Sequence, residues 1–181
     1  AGLSGIREDT VGYADAGFLG DWAKAVLTEY PDFAMVGEEW SINPAVVAHW
    51  QRGKHNASGH VPHMPGMMDF PVHVALRNAL VQPEGWESGW IGLYEMLAND
   101  FLYPDPGALV VFAENHDTPR LLAHVDGDLA LWKPGTACLA TVRGTPRSPR
   151  PTLFSDPQSS ESQILSLLIA GGSLESVQAQ D

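Results

Sequence analysis

Three acidic residues, Asp9, Glu38 and Asp117, each stand at the C-terminal end of a predicted strand: the one closing near Thr10, the apolar run Phe33 to Val36, and the apolar run Ala108 to Ala113. In a parallel α/β barrel such ends gather on one face, the face that hosts active sites. Cleaving a glycosidic bond needs a carboxylic acid to protonate the leaving oxygen and a second carboxylate across from it. The two lie about 5–5.5 Å apart when the second attacks as a nucleophile. Three acids at strand ends supply both groups. Position alone does not settle the matter, because Asp and Glu at strand ends commonly serve as loop caps.

The elements that must position these acids follow an alternating plan. Asp15 to Tyr30 is an amphipathic helix with Phe18, Leu19, Trp22, Val26 and Leu27 on one side, stopped by Pro31. Asn43 to Gln51 is a short helical pattern, and Gly53 to Gly66, rich in Gly, His, Pro and Asn, reads as a loop excursion. A strand end is expected within Met67 to Pro71, helices over Val72 to Leu80 and Gly89 to Asn99, and a helix around Asp126 to Lys133. Cys138 to Val142 reads as a last strand, closed by Gly144-Thr145-Pro146. Strands alternating with helices argue for a parallel α/β fold. A (β/α)₈ barrel allots roughly 30 residues to each unit. Asp9 and Glu38 stand one such interval apart; Glu38 and Asp117 fit two more plus the excursion.

Composition narrows the partners. Lys+Arg of 10 against Asp+Glu of 22 gives a net charge of −12, which disfavours nucleic acid and an anionic membrane surface and suits a neutral substrate. Six Trp and four Tyr in such a chain fit sugar binding, since an aromatic face packs on the apolar face of a pyranose. No apolar run reaches the roughly 20 residues of a membrane span. The single Cys138 excludes a disulfide framework and a Cys-based metal site, and reads as a small buried residue. His49, His55, His60, His63 and His73 match no zinc spacing. Ser occurs four times up to Pro146 and eight times after it, so the chain divides into residues 1–146 and a poorly structured tail, 147–181, with one helix over Glu161 to Ala170. The change of character at Pro146 reads as a reading-frame change or a gene-model error. A start at Ala1 without Met leaves periplasmic or secreted export open.

Gly5-Ile6-Arg7-Glu8-Asp9-Thr10, Val36-Gly37-Glu38-Glu39-Trp40 and Phe112-Ala113-Glu114-Asn115-His116-Asp117-Thr118 resemble, in order and spacing, the motifs that end the fourth, fifth and seventh strands of the α-amylase family of glycoside hydrolases. Gly144-Thr145-Pro146 resembles the family's turn after the eighth strand. Tyr13-Ala14-Asp15 and Asp100-Phe101-Leu102-Tyr103-Pro104 are similar to the neopullulanase and cyclomaltodextrinase-like branch. The fold so implied is a partial (β/α)₈ TIM barrel, roughly the fourth to eighth strands, followed by an irregular tail.

The resemblance implies roles by position. Asp9 would be the nucleophile, with Arg7, two residues earlier on the same strand face, holding it oriented. Glu38 would be the acid and base, a role that shelter beside Trp40 would favour. Asp117 would bind ring hydroxyls and favour the oxocarbenium-like state, with His116, Asn115 and Trp40 as further substrate contacts. The substrate would be an α-1,4-glucan such as starch, pullulan, cyclodextrin or a maltooligosaccharide, cleaved with retention. The resemblance implies no certain cofactor; a full-length enzyme of this kind could bind calcium and form a homodimer. Arg7 also fits a barrel ion pair and His116 a core histidine, while Glu39, Glu114 and Arg120 read as structural neighbours. Glu8 and Glu39 stand where the family more often has an apolar or small residue, and Tyr13 where many α-amylases have His. The family's Asp-x-x-x-Asn-His motif on the third strand has no match. Transglycosylation with the same acids, or a glycan-binding or vestigial fragment, are the alternatives.

Overall fold

Gly5–Glu8 forms β1 and Ala34–Gly37 forms β2, and the two run parallel with Gly5 opposite Ala34 and Glu8 opposite Gly37. The computed structural model describes residue 3 and residues 5–147. The tail expected after Pro146, with its helix over Glu161 to Ala170, lies outside the described residues apart from Arg147. Between β1 and β2 runs α1, Ala16–Glu29. Its start is set by Asp15, whose side chain accepts the Phe18 backbone N–H at 2.8 Å and so satisfies a donor that the helix itself leaves free. Leu19 and Ala23, one turn apart, are its buried face.

After β2, Asn43 caps the short α2, Pro44–Ala48, by accepting the Ala45 N–H. The excursion that follows is pinned rather than free. Gln51 is fully buried, donates to the carbonyls of Pro65 (3.3 Å) and Asp105 (2.7 Å), and accepts the Asp105 N–H (3.2 Å). The chain then enters β3, Gly66–Met67, parallel to β2. Met68 bridges Val110 in parallel, and the Asp69 N–H donates to the Val110 carbonyl at 2.9 Å. That contact joins β3 to β4, Val110–Phe112, which in turn pairs in parallel with β5, Thr145–Arg147. The five strands thus follow one another in sequence order, all parallel, with helices between them.

Phe70–Val81 is α3, Gly89–Leu97 is α4, Leu121–His124 is α5 and Leu129–Thr141 is α6. A core of Val72, Leu76, Leu80, Leu93, Val111, Leu121 and Leu139 lies between these helices and β4. A second core, around Val11, Leu19, Met35, Val47, Met67 and Leu109, holds α1 and α2 on β1 to β3. Each such large side chain, buried to a few percent, stabilises the fold by about 1.5–3 kcal/mol. No helix among the described residues is long and apolar enough to cross a membrane.

One expectation is overturned. Cys138 to Val142 is not a strand: Cys138 to Thr141 is the last turn of α6, and Val142 is its C-cap. The expected helix ended at Lys133, but the structure carries it through Pro134, and the burial of Gly135 and Leu139, four residues apart, is helical. A five-residue apolar stretch has no length to tell a strand from a helix end. Cys138, accordingly, is half-buried on α6 and not in a strand. The last strand is instead β5, one residue beyond the turn at Gly144. A Cβ there would lie 2.6 Å from the Leu109 carbonyl and φ is +96°, so only glycine lets Thr145 N–H reach that carbonyl at 2.8 Å.

Candidate active site

Asp9 follows β1 and Glu38 follows β2, on neighbouring parallel strands. The two strand ends are stitched by backbone bonds: Glu38 N–H donates to the Glu8 carbonyl at 2.9 Å and Val11 N–H to the Glu38 carbonyl at 3.0 Å. The chain makes that return because Thr10 takes a left-handed conformation, φ 47°. Arg7 then joins the two acids. Its Nη2 donates to Glu38 Oε1 at 2.5 Å and its Nη1 to Asp9 Oδ2 at 3.3 Å. Glu38 is 1% exposed, whereas the Asp9 side chain is 64% exposed. Burial pulls the Arg7 guanidinium down, but the hydrogen bond and charge of Glu38, and then Asp9, outweigh it and hold the group above its ordinary value. One buried acid and one open acid share one cation.

Trp40, half exposed, lies on the ring of Phe70 at 4.6 Å between centroids. Phe70 meets Phe112 edge-on at 5.1 Å, so the aromatic stack reaches from the end of β2 to β4. Asp117, on the turn after β4, faces His116, with Nε2 and Oδ2 3.1 Å apart and both side chains substantially exposed. Asn115 is buried; its Oδ1 accepts the Asp117 N–H at 3.1 Å, while its Nδ2 has no protein partner. Among the described residues no hydrogen bond links the Asp117–His116 pair to the Arg7 cluster. The structure therefore brings Arg7, Asp9 and Glu38 together directly, and holds Asn115, His116 and Asp117 as a second group on the turn after β4.

Several residues that hold these groups are invisible to motif reading. Arg77, buried on α3, gives its Nη1 to the carbonyls of Ala113 (3.1 Å) and Pro119 (3.0 Å), which bracket the turn bearing Asp117. Glu114 accepts from Arg120 Nη1 at 3.0 Å and from the Leu121 N–H, fixing the far side of that turn and opening α5. His73 places Nδ1 3.2 Å from the Phe112 carbonyl and stacks on the Phe112 ring. Glu39 accepts from Trp50 Nε1 at 3.1 Å, and its carboxylate occupies the space a Cβ on Gly12 would need. This ties the turn after β1 to the one after β2. Asp69, fully buried at the start of α3, pairs with Arg143, which also holds Asp100. Burial pushes the Asp69 carboxyl up, against the pull of Arg143. A distant basic residue beside a helix-capping acid leaves no local pattern to read. Among the described residues no group of three His, Cys, Asp or Glu could hold a metal ion.

Comparison with known proteins agrees with this architecture. The "Beta/alpha-amylase" of Paenibacillus polymyxa is 28% identical over 134 residues, 74% of this chain and 9% of that protein. The α-amylase of Geobacillus thermoleovorans, solved in complex with acarbose, superposes with a TM-score of 0.65 at 27% identity, covering 80% of this chain and 31% of that one. An α-amylase from Malbranchea cinnamomea gives a TM-score of 0.63 at 30% identity, covering 80% and 27%. The chain thus spans less than a third of the proteins it matches. The family described as TamB C-terminal domain matches residues 112–181, less than half of the chain and in good part beyond Arg147.

The fold and these likenesses are those of part of an α-amylase-type α/β barrel. These relatives are α-amylases, the family whose motifs the three strand-end segments resemble.

Proposed function

We propose that the chain carries the catalytic face of a retaining glycoside hydrolase acting on α-1,4-linked glucans, with β1 to β5 standing as the fourth to eighth strands of the barrel, and the expected boundary at Pro146 moved one residue on, to Arg147, where β5 ends. The observation that carries the reading is the single Arg7 guanidinium bonded to both Asp9 and Glu38 on adjacent strand ends. It holds an open carboxylate and a sheltered one on a single cation at neighbouring strand ends, the pairing of two acids that double displacement uses.

In the first step Asp9 attacks the anomeric carbon while the glycosidic C–O bond breaks and Glu38 gives its proton to the departing oxygen. Water then attacks the same carbon, Glu38 takes its proton, and the bond to Asp9 breaks, restoring both acids with the α configuration kept. Arg7 orients Asp9 throughout. Asp117 and His116 take ring hydroxyls, and Asn115 Nδ2, buried without a protein partner, is a donor left over for the same purpose. Trp40 on Phe70 offers a face for a sugar ring. The acarbose complex of the Geobacillus α-amylase supports an α-glucan as ligand.

Because β1 has a neighbour on one side only among the described residues, the 181-residue chain alone is expected to be inactive or nearly so. Robust maltooligosaccharide cleavage by it would overturn that part. The chemistry is tested by placing residues 5–147 in the Geobacillus α-amylase barrel in place of the matched segment, and following maltoheptaose by proton NMR. The α anomer should appear first, and Asp9→Asn should cost on the order of 10⁴-fold in kcat. A β product, or an active Asp9→Asn variant, would refute the assignment; glycosyl transfer to an added acceptor sugar would make the activity transglycosylation.

A further inference from the structure

Between α3 and α4 lies a cavity of about 160 Å³ that the strand-end chemistry does not use. Its floor is apolar, formed by Val74, Ala75 and Met96. Its rim is polar, and among the described residues the side chains of Asn78, Gln82 and Glu87 there make no hydrogen bond to the protein.

The electrostatics of this rim have one sign. The last turn of α3 holds no basic residue, so the negative end of that helix dipole stands uncompensated beside Asn78 and Gln82. The positive end of α4 is already answered, because Glu84 accepts the N–H groups of Trp90 (3.0 Å) and Ile91 (3.3 Å). The same Glu84 carboxylate lies against the wall at Gly89, where a Cβ would stand 2.8 Å from it. Glu87 adds a carboxylate with no partner. Among the described residues no Lys, Arg or His lines the cavity, and the chain as a whole carries a net charge of −12.

An apolar floor under free acceptors of negative sign matches a ligand with an aliphatic body and a cationic, donating head. A primary ammonium has three N–H donors and no acceptor. The Glu87 carboxylate and the amide oxygens of Asn78 and Gln82 are the acceptors at the rim. Volume sets the length: a cavity of about 150 Å³ holds benzene, roughly six non-hydrogen atoms. A five-carbon amine, or a lysine side chain from Cβ outward, is of that size.

We propose that the α3–α4 cavity is a binding site for a primary alkylammonium group, with its chain on Val74, Ala75 and Met96 and its nitrogen at Glu87, Asn78 and Gln82. A free aliphatic amine and a lysine side chain of a partner protein both present that group. The site is separate from the strand-end chemistry and does not depend on it.

The test is an NMR titration of the ¹⁵N-labelled 181-residue chain at neutral pH with n-pentylamine, and in parallel with a capped tripeptide carrying lysine at its centre, pentan-1-ol and pentanoate. Amides of Gln82, Ser88 and Gly92 report the cavity. They should shift and saturate with n-pentylamine, more weakly with the alcohol and not with pentanoate, and added salt should weaken the amine. Ala75→Leu, which fills the floor, should abolish the shifts. Glu87→Gln, a surface change that leaves the packing alone, should weaken the amine about fivefold, in line with the loss of one exposed ion pair. Tripeptide binding at least as tight as that of n-pentylamine makes lysine the source, and weaker binding makes it a free amine. No saturating shift with either amine, equal affinity for pentan-1-ol, or an unchanged amine affinity in Glu87→Gln would overturn the site. So would shifts of the same size at Glu38 and His116, which lie outside it.

Discussion

His73 makes the stability of the fold depend on pH in a way that can be calculated. Its ring is 3% exposed, stacked on Phe112, with Nδ1 bonded to the Phe112 carbonyl. Burial lowers its pKa from 6.5 to about 4, the Phe112 carbonyl opposes that, and the nearby charges of Arg77 and His124 add to the lowering. The unfolded chain takes up a proton below pH 6.5, while the folded chain resists it until about pH 4. Stability from this group is therefore complete above pH 6.5 and is lost as pH falls toward 4. At ~1.4 kcal/mol per unit, the loss across that window is about 3 kcal/mol. Urea unfolding of the wild type and of His73→Asn, followed by Trp fluorescence at several values between pH 7.5 and 4.5, isolates the term. Asn keeps a donor for the Phe112 carbonyl and does not titrate. The wild type should be the more stable at pH 7.5, and the gap should close by most of that amount at the acid end. Parallel curves for the two proteins would refute the reasoning.

Arg143→Ala should destabilise the fold by about 3–5 kcal/mol, because it leaves the fully buried Asp69 without a cation; adding Asp69→Asn should recover part of that in thermal unfolding. Gly144→Ala should cost about 1–3 kcal/mol, since a clash with the Leu109 carbonyl adds to an unfavourable φ, whereas Gly127→Ala, with φ +80° and open space, should cost only about 1 kcal/mol. Arg77→Met should leave the Ala113 and Pro119 carbonyls unpaired, at about 1–3 kcal/mol each. Faster amide exchange at Asn115 and Asp117 than at α1 would show that the turn is what loosens.

Much of this plan was legible wherever the signal is local. Asp15 before a 3.6-residue apolar repeat announced α1, and the unbroken run up to Phe112 announced β4. Arg7, two residues before Asp9, was also readable, because alternate residues of a strand share a face. What the sequence hid depends on partners brought together by folding. Nothing near Glu38 says that Arg7 bonds it more closely than Asp9, and nothing near Asp117 points to Arg77 on α3. The misreading of Cys138 to Val142 has the same root. Whether a short apolar stretch is a strand or a helix end is decided by what packs on it, here Leu80 and Leu121 against Gly135 in the middle of α6.

The central claim, that Arg7, Asp9 and Glu38 form a sugar-binding catalytic cluster with Asp117 and His116, is tested most directly by titrating the chain with acarbose while watching two side-chain NMR signals. These are the Arg7 Nε–H and the His116 imidazole. Both should shift along one saturating curve, and Asp117→Asn should weaken that curve without changing the signals of the sugar-free protein at Arg7. If acarbose moves neither signal, or moves them with unrelated affinities, the strand ends do not act as one site and the account is wrong.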